Sequence, residues 1–241
     1  MCTCQNHSAN ENENSLVDNG LFLSQKLSDI SAIKGFKIVH QHISGLTDRI
    51  DELRLIVSEL RSSLQFMSVS ETWAHKDIAD SELGIPGYKL FRRDRGNKGG
   101  GLAVYVRNDM KVMRWPDLEE STIEGLWVEV CPPKSRSFLV GTFYKPPTSS
   151  NHAVKDFMPI FDNCLRRATA VDKEVIITGD LNCDLLPKRI TESDCKQLKA
   201  LLRQENLTQL INQPTRITQY SKTLLDIIIT NSPHNIRECG V

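Results

Sequence analysis

The sequence carries no net charge: thirty Lys and Arg offset thirty Asp and Glu over 241 residues. A polyanionic partner therefore has no support from overall charge, and any nucleic-acid binding must rest on a local basic face. No apolar run approaches the roughly 18 residues that would suggest a membrane span. The amino-terminal stretch lacks the basic-then-apolar order of a secretory leader. Seven cysteines, odd in number and scattered, argue against a disulfide framework. Cys2-Thr3-Cys4 has no Cys or His pair nearby to complete a zinc site. Reduced thiols in an intracellular protein are the expectation. What remains is 39% hydrophobic and 25% charged, enough to bury the core of one large α/β domain or two small ones.

Residues 1–33 are rich in Asn, Glu and Ser and read as a disordered or loosely attached lead-in, leaving 34–241 as the folded domain. The run over 36–43 reads as a strand closed by Ser44-Gly45. Leu46, Ile50, Leu53, Val57, Leu60 and Leu64 then recur at helical spacing. A short strand over 66–70 delivers Glu71 at its end. Further strands are expected over 102–106, and over 123–130 and 137–144 as an antiparallel pair across Pro132-Pro133-Lys134. A helix over 153–168 holds Pro159, which implies a kink or a late start. Thr191-Glu192-Ser193-Asp194 reads as a capping box for another helix. Strands and helices in this mixed order indicate a layered α/β protein with packed sheets and outer helices.

The densest chemistry follows Val175-Ile176-Ile177, a β-branched run typical of a buried strand. Gly179 ends it, and Asp180 and Asn182 follow two apart, so that in extended backbone a carboxylate and a carboxamide share a face. The bland alternative is an ordinary Gly-Asp-x-Asn turn. Asp226 interrupts the aliphatic run Leu224 to Ile229, where a charge is costly unless paired, hydrogen-bonded or metal-bound; the alternative is a solvent-facing residue on a half-exposed strand. Glu71 is a hard oxygen donor suited to Mg²⁺, or else a solvated loop residue. Tyr144 could donate to a phosphate or simply pack. Arg92, Arg93, Arg95 and Lys98 form the densest basic cluster, either a loop that tracks a phosphate backbone or a solvated one.

Taken in order, several segments resemble the endonuclease/exonuclease/phosphatase superfamily, and more narrowly the apurinic-type endonuclease domain of non-LTR (LINE-type) retrotransposons. They are the stretch from Lys37 to Leu46, Ser70-Glu71-Thr72-Trp73, and Arg92-Arg93-Asp94-Arg95 through Gly99-Gly100-Gly101. Tyr144-Lys145-Pro146-Pro147, Thr178-Gly179-Asp180-Leu181-Asn182, Pro214-Thr215-Arg216 and Thr223-Leu224-Leu225-Asp226 complete the set. The resemblance implies a DNase I-like four-layer α/β sandwich, two packed mixed sheets flanked by helices. It also implies Mg²⁺-dependent phosphodiester hydrolysis (with Mn²⁺ as a possible substitute) that nicks double-stranded DNA. By it, Glu71 binds the metal, Asp180 handles the attacking water, Asn182 and Tyr144 meet the phosphate, and Asp226 polarises a catalytic histidine. Thr215 and Thr223 contact the phosphate region.

Two departures shape the expectation. His42 stands where the resemblance implies an asparagine near the metal, and imidazole is softer than Mg²⁺ prefers. The terminal Ser-Asp-His motif is missing, which implies a truncated domain with an open sheet edge. Loss of a general acid or base costs about 10²–10⁴-fold in rate. The reverse transcriptase region of such polyproteins is absent too. The reading is a retrotransposon-derived metal-dependent phosphodiesterase domain, weak or inactive, nuclear if functional. The alternatives are a non-catalytic nucleic-acid-binding or protein-interaction remnant, and a phosphatase of the same superfamily acting on small phosphoesters.

Overall fold

Alternation along the strands decides which residues meet between the sheets. The structure is a computed structural model that describes residues 2–6 (as backbone), 33–60, 63–96, 99–186 and 193–241. In β3 (Phe66–Ser70) the side chains of Phe66, Ser68 and Ser70 face one way while Met67 and Val69 face the other. In β5 (Leu102–Arg107), Leu102, Val104 and Val106 point to the interior and Ala103 and Tyr105 to the outer face.

The first sheet has six strands. They run β14 (Cys239–Gly240), β1 (Cys2–Asn6), β2 (Ile38–His42), β3, β5 and β4 (Tyr88–Arg93). The second also has six: β10 (Thr208–Gln209), β13 (Asp226–Thr230), β9 (Glu174–Asp180), β8 (Phe138–Tyr144), β7 (Glu124–Cys131) and β6 (Lys111–Arg114). Both mix parallel and antiparallel pairs: β2 runs parallel to β3 and β8 parallel to β9, whereas β13 runs antiparallel to β9. A separate hairpin joins β11 (Arg216–Ile217) to β12 (Lys222–Thr223).

Helix α1 (Leu46–Glu59) lays Leu46, Ile50, Leu53 and Val57 on the outer face of the first sheet against Met67, Val69 and Tyr105. The short α2 (Asp80–Leu83) closes the same side through Leu83. On the far side, α3 (Phe157–Thr169) and α4 (Ser193–Gln204) pack Phe161, Leu165, Leu198 and Leu202 into the main core. The result is the four-layer sandwich expected from the sequence. Pro159 sits in the first turn of α3, where its missing N–H costs no helical bond, and the helix starts late at Phe157. Thr191 and Glu192 of the expected capping box lie outside the described residues.

Two expectations change. Of the lead-in assigned to 1–33, Cys2–Asn6 is a strand, parallel to β2 with Cys2 opposite Ile38 and Asn6 opposite His42; 7–32 lie outside the described residues. The sheet edge expected to be open is accordingly extended by β1 and β14, because the backbone groups on the far side of β2 find partners there. Asp226 is fully buried, as a charge set among aliphatics suggested, and the solvent-facing alternative falls. Among the described residues no helix is long and apolar enough to cross a membrane.

Candidate active site

The ends of β2, β3, β8 and β9 and the start of β13 meet at one pole of the sandwich. The register forces this. Tyr144 at the end of β8 lies opposite Asp180 at the end of β9, Asp180 lies opposite Asp226 at the start of β13, and His42 lies opposite Ser70 across β2 and β3. Three carboxylates, a phenol, a carboxamide and an imidazole thus converge from both sheets.

Glu71 follows β3 directly and takes two neutral donors. The Tyr144 hydroxyl donates a short hydrogen bond to Glu71 Oε1, and the indole of Trp73 donates to Oε2 at 3.1 Å. No cationic side chain forms an ion pair with Glu71 among the described residues. Burial, then the Glu71 bond and the Asp180 charge, pushes the Tyr144 phenol far above its usual range, so it stays protonated. The Arg95 guanidinium lies 5.4 Å from the centre of the Tyr144 ring, a cation–π contact, and pairs with Glu124.

Asp180 is almost completely buried. Desolvation and the neighbouring Asp226 raise its carboxyl pKa, while His42 and the Asn182 amide, which donates to Oδ1 at 2.8 Å, pull the other way. His42 Nδ1 sits 3.2 Å from Asp180 Oδ2, close but not aligned as a hydrogen bond, and Nε2 meets the Ser44 hydroxyl at 3.0 Å. Burial works against the imidazolium; Asp180, Glu71 and Asp226 outweigh it and raise the His42 pKa. His42 is thus a close neighbour of Asp180, with one ring nitrogen toward that carboxylate and the other toward Ser44. The Asn182 carboxamide donates to the Lys145 carbonyl at 2.9 Å.

Behind these residues lies a polar seam that the sequence did not reveal. His40 and Asp226 are both fully buried, with Nε2 3.5 Å from Oδ1, and His40 Nδ1 meets the Ser68 hydroxyl at 3.0 Å. Ser68 continues to Thr178 at 2.9 Å and Thr178 to Thr142 at 3.1 Å, tying the two sheets through hydroxyls. The histidine facing Asp226 is therefore an interior one. Its only sequence signal is polar residues at alternate positions of two apolar strands.

Thr215 holds Asp226 in place: its hydroxyl accepts the amides of Leu225 and Asp226, each at 3.1 Å, and its own amide donates to the Thr223 carbonyl at 2.9 Å. The nearby hairpin exposes Arg216, Lys222 and, most of all, Tyr220 at 87%. The arginine cluster is used differently from the phosphate-tracking loop considered above. Arg92 pairs with Asp80 and donates to the Ile78 carbonyl, Arg93 donates to the Gly125 and Glu120 carbonyls, and Arg95 pairs with Glu124. These bonds tie β4 and its following loop to their surroundings and leave the guanidinium side chains only 13–17% exposed. Lys98 lies outside the described residues.

Backbone strain collects at the same pole. Ser44, Glu71, Trp73 and Asn182 all have φ between 45° and 58°, unusual for residues with a Cβ. Such conformations persist only where the surroundings enforce them, and they cluster at functional sites.

The donor set also bears on a metal. Among the described residues no three His, Cys, Asp or Glu side chains form a ready cage. Mg²⁺ does not need one: it uses one or two carboxylates and takes its other ligands from water and substrate phosphate. Glu71, the partly exposed carboxylate with only neutral donors, has the chemistry for that role.

The sequence matches no family model and no curated protein. Solved structures do share the fold. The endonuclease domain of TRAS1, a telomere-specific non-LTR retrotransposon, aligns over 83% of this chain and 86% of its own at TM-score 0.62 and 13% identity. A 3′–5′ exonuclease (NExo) from Neisseria meningitidis covers 81% and 87% at TM-score 0.63 and 13% identity. A mannosyl-6-phosphatase from Bacteroides thetaiotaomicron covers 95% and 83% at TM-score 0.51 and 14% identity. The chain has the DNase I-like fold shared by these endonuclease/exonuclease/phosphatase-type proteins.

Proposed function

We propose that this chain is a phosphodiesterase domain of the DNA-nicking, non-LTR retrotransposon kind, and that it works slowly. The observation that carries the reading is the convergence of Glu71, Tyr144, Asp180 and Asn182 at one pole, where the two sheets present acid, phenol and amide to a common space. Double-stranded DNA is the substrate and the nucleus the place of action. A reverse transcriptase region belongs to the parent polyprotein. The exposed Arg216, Tyr220 and Lys222 beside the mouth supply backbone and stacking contacts.

Asp180 is the base for the attacking water, and Asn182 and Tyr144 hydrogen-bond the phosphate oxygens as charge develops on them. Glu71 would hold Mg²⁺, or Mn²⁺ in its place, and the ion would supply charge neutralisation at the phosphate. Slowness follows from His42. The imidazole beside Asp180 pulls its carboxyl pKa down against the effect of burial and so lowers the carboxylate's basicity, and the ring offers no amide to the substrate side.

In a supercoiled-plasmid assay with Mg²⁺, the chain nicks slowly, and Asp180→Ala removes about 10²-fold or more of what is measured. Equal nicking by wild type and variant would refute Asp180 as the base. DNA binding without any nicking would favour a non-catalytic binding remnant. Turnover of small phosphoesters without nicking would favour the phosphatase reading, which the fold shared with a phosphatase supports.

A further inference from the structure

The pole opposite the candidate active site carries a cleft of about 850 Å³, a size suited to a small ligand. It opens where β2, β8 and β9 begin and β13 ends, so the length of β9 separates it from Asp180. At about 3.3 Å per residue that distance is roughly 20 Å. Its floor is apolar: Phe36 and Phe138 meet edge to face with centroids 5.0 Å apart, beside Ile38 and Ile176.

Its rim is cationic in a chain that has no net charge. Lys34, Arg136, Lys173 and Arg237 line it, against two carboxylates, Asp172 and Glu174. Lys173 is occupied, with Glu129 Oε1 and the Ser137 hydroxyl each 2.8 Å away, and Glu174 accepts the Asn235 carboxamide at 3.0 Å. Lys34, Arg136 and Arg237 form no ion pair among the described residues; Arg237 reaches only the Lys34 carbonyl, at 3.4 Å. The two poles thus have opposite polarity. Carboxylates dominate the catalytic end, and cations over an aromatic floor dominate this one.

We propose that this cleft binds a nucleoside phosphate, with its base on the Phe36 and Phe138 floor and its phosphates at Arg136, Arg237 and Lys34. Arginine suits the phosphate oxygens through paired N–H donors, and a half-buried phenylalanine edge suits a planar base. Binding at the other pole would instead shift the amides of Tyr144 and Asn182, so the two sites separate experimentally.

The test is an amide-shift NMR titration of the full chain with ADP in EDTA, and in parallel with inorganic phosphate. ADP should shift the amides of Phe36, Phe138 and Arg237 and bind at least about tenfold tighter than phosphate. The double variant Arg136→Glu/Arg237→Glu should lose about tenfold or more in ADP affinity at unchanged Tm, and Asp180→Ala should bind like wild type. Absence of shifts, shifts confined to Tyr144 and Asn182, or undiminished binding by the charge-reversed protein would each overturn the site. Equal affinity for ADP and phosphate would overturn the nucleoside part of it.

Discussion

Gly179→Ala should destabilise the domain by on the order of 4 kcal/mol, a large fraction of a typical domain's stability. A Cβ at this position would lie 1.9 Å from the Phe143 carbonyl oxygen and 2.8 Å from its carbon. Those atoms belong to the backbone of β8, which pairs with β9 directly opposite Gly179, so no rotamer change relieves the clash. The φ of 146° adds a conformational penalty that glycine alone escapes. Gly240→Ala is the control, because its Cβ meets nothing within 4 Å, and a shift within about ±0.5 kcal/mol is expected there. Chemical denaturation of the two variants decides the matter. Near-native stability of Gly179→Ala would mean that β8 and β9 are not packed this closely, and the placement of Asp180 would fall with it.

His42→Ala should cost about 3 kcal/mol at pH 6, because it leaves Asp180 buried without its cationic partner. The pH dependence follows from sign. Asp180, Glu71 and Asp226 hold the folded-state pKa of His42 above its ordinary 6.5 despite burial. The folded protein therefore binds a proton that the unfolded chain releases more readily. The stabilisation is complete below pH 6.5 and is lost as pH rises through the folded value. Asp180 shifts in the same sense, since its raised carboxyl pKa makes the folded state retain a proton above the ordinary 3.8. Wild type should lose Tm between pH 6 and 9, and His42→Ala should lose less over that window. Parallel curves for the two proteins would show that the imidazole carries no such coupling.

Part of the candidate active-site pole was legible in the sequence because its cues are local. Val175 to Ile177 marks the strand that carries Asp180, but β9 runs on through Gly179 to Asp180, and Asn182 has a φ of 47° in place of the extended backbone expected. Asp226 among aliphatics announced its burial, since a charge there needs a partner. The arginines were harder. Whether Arg92 and Arg93 reach solvent or the carbonyls of Ile78, Glu120 and Gly125 depends on pairing between distant strands and loops, which no run of residues encodes. The same holds for His40, whose partners Ser68 and Asp226 lie on another strand and in the other sheet. The two-residue strands β10, β11, β12 and β14 are too short for any periodicity. Cys2–Asn6 was obscured by the polar stretch that follows it, because composition averaged over thirty residues hides a five-residue strand.

The central claim is that this pole is a phosphodiesterase site restrained by His42. His42→Asn bears on it most directly, since it exchanges the imidazole for a neutral amide beside Asp180. Single-turnover plasmid nicking in Mg²⁺ should rise by about 10-fold or more over wild type, and adding Asp180→Ala should abolish the gain. An unchanged rate in His42→Asn, or a gain that survives Asp180→Ala, would contradict the account.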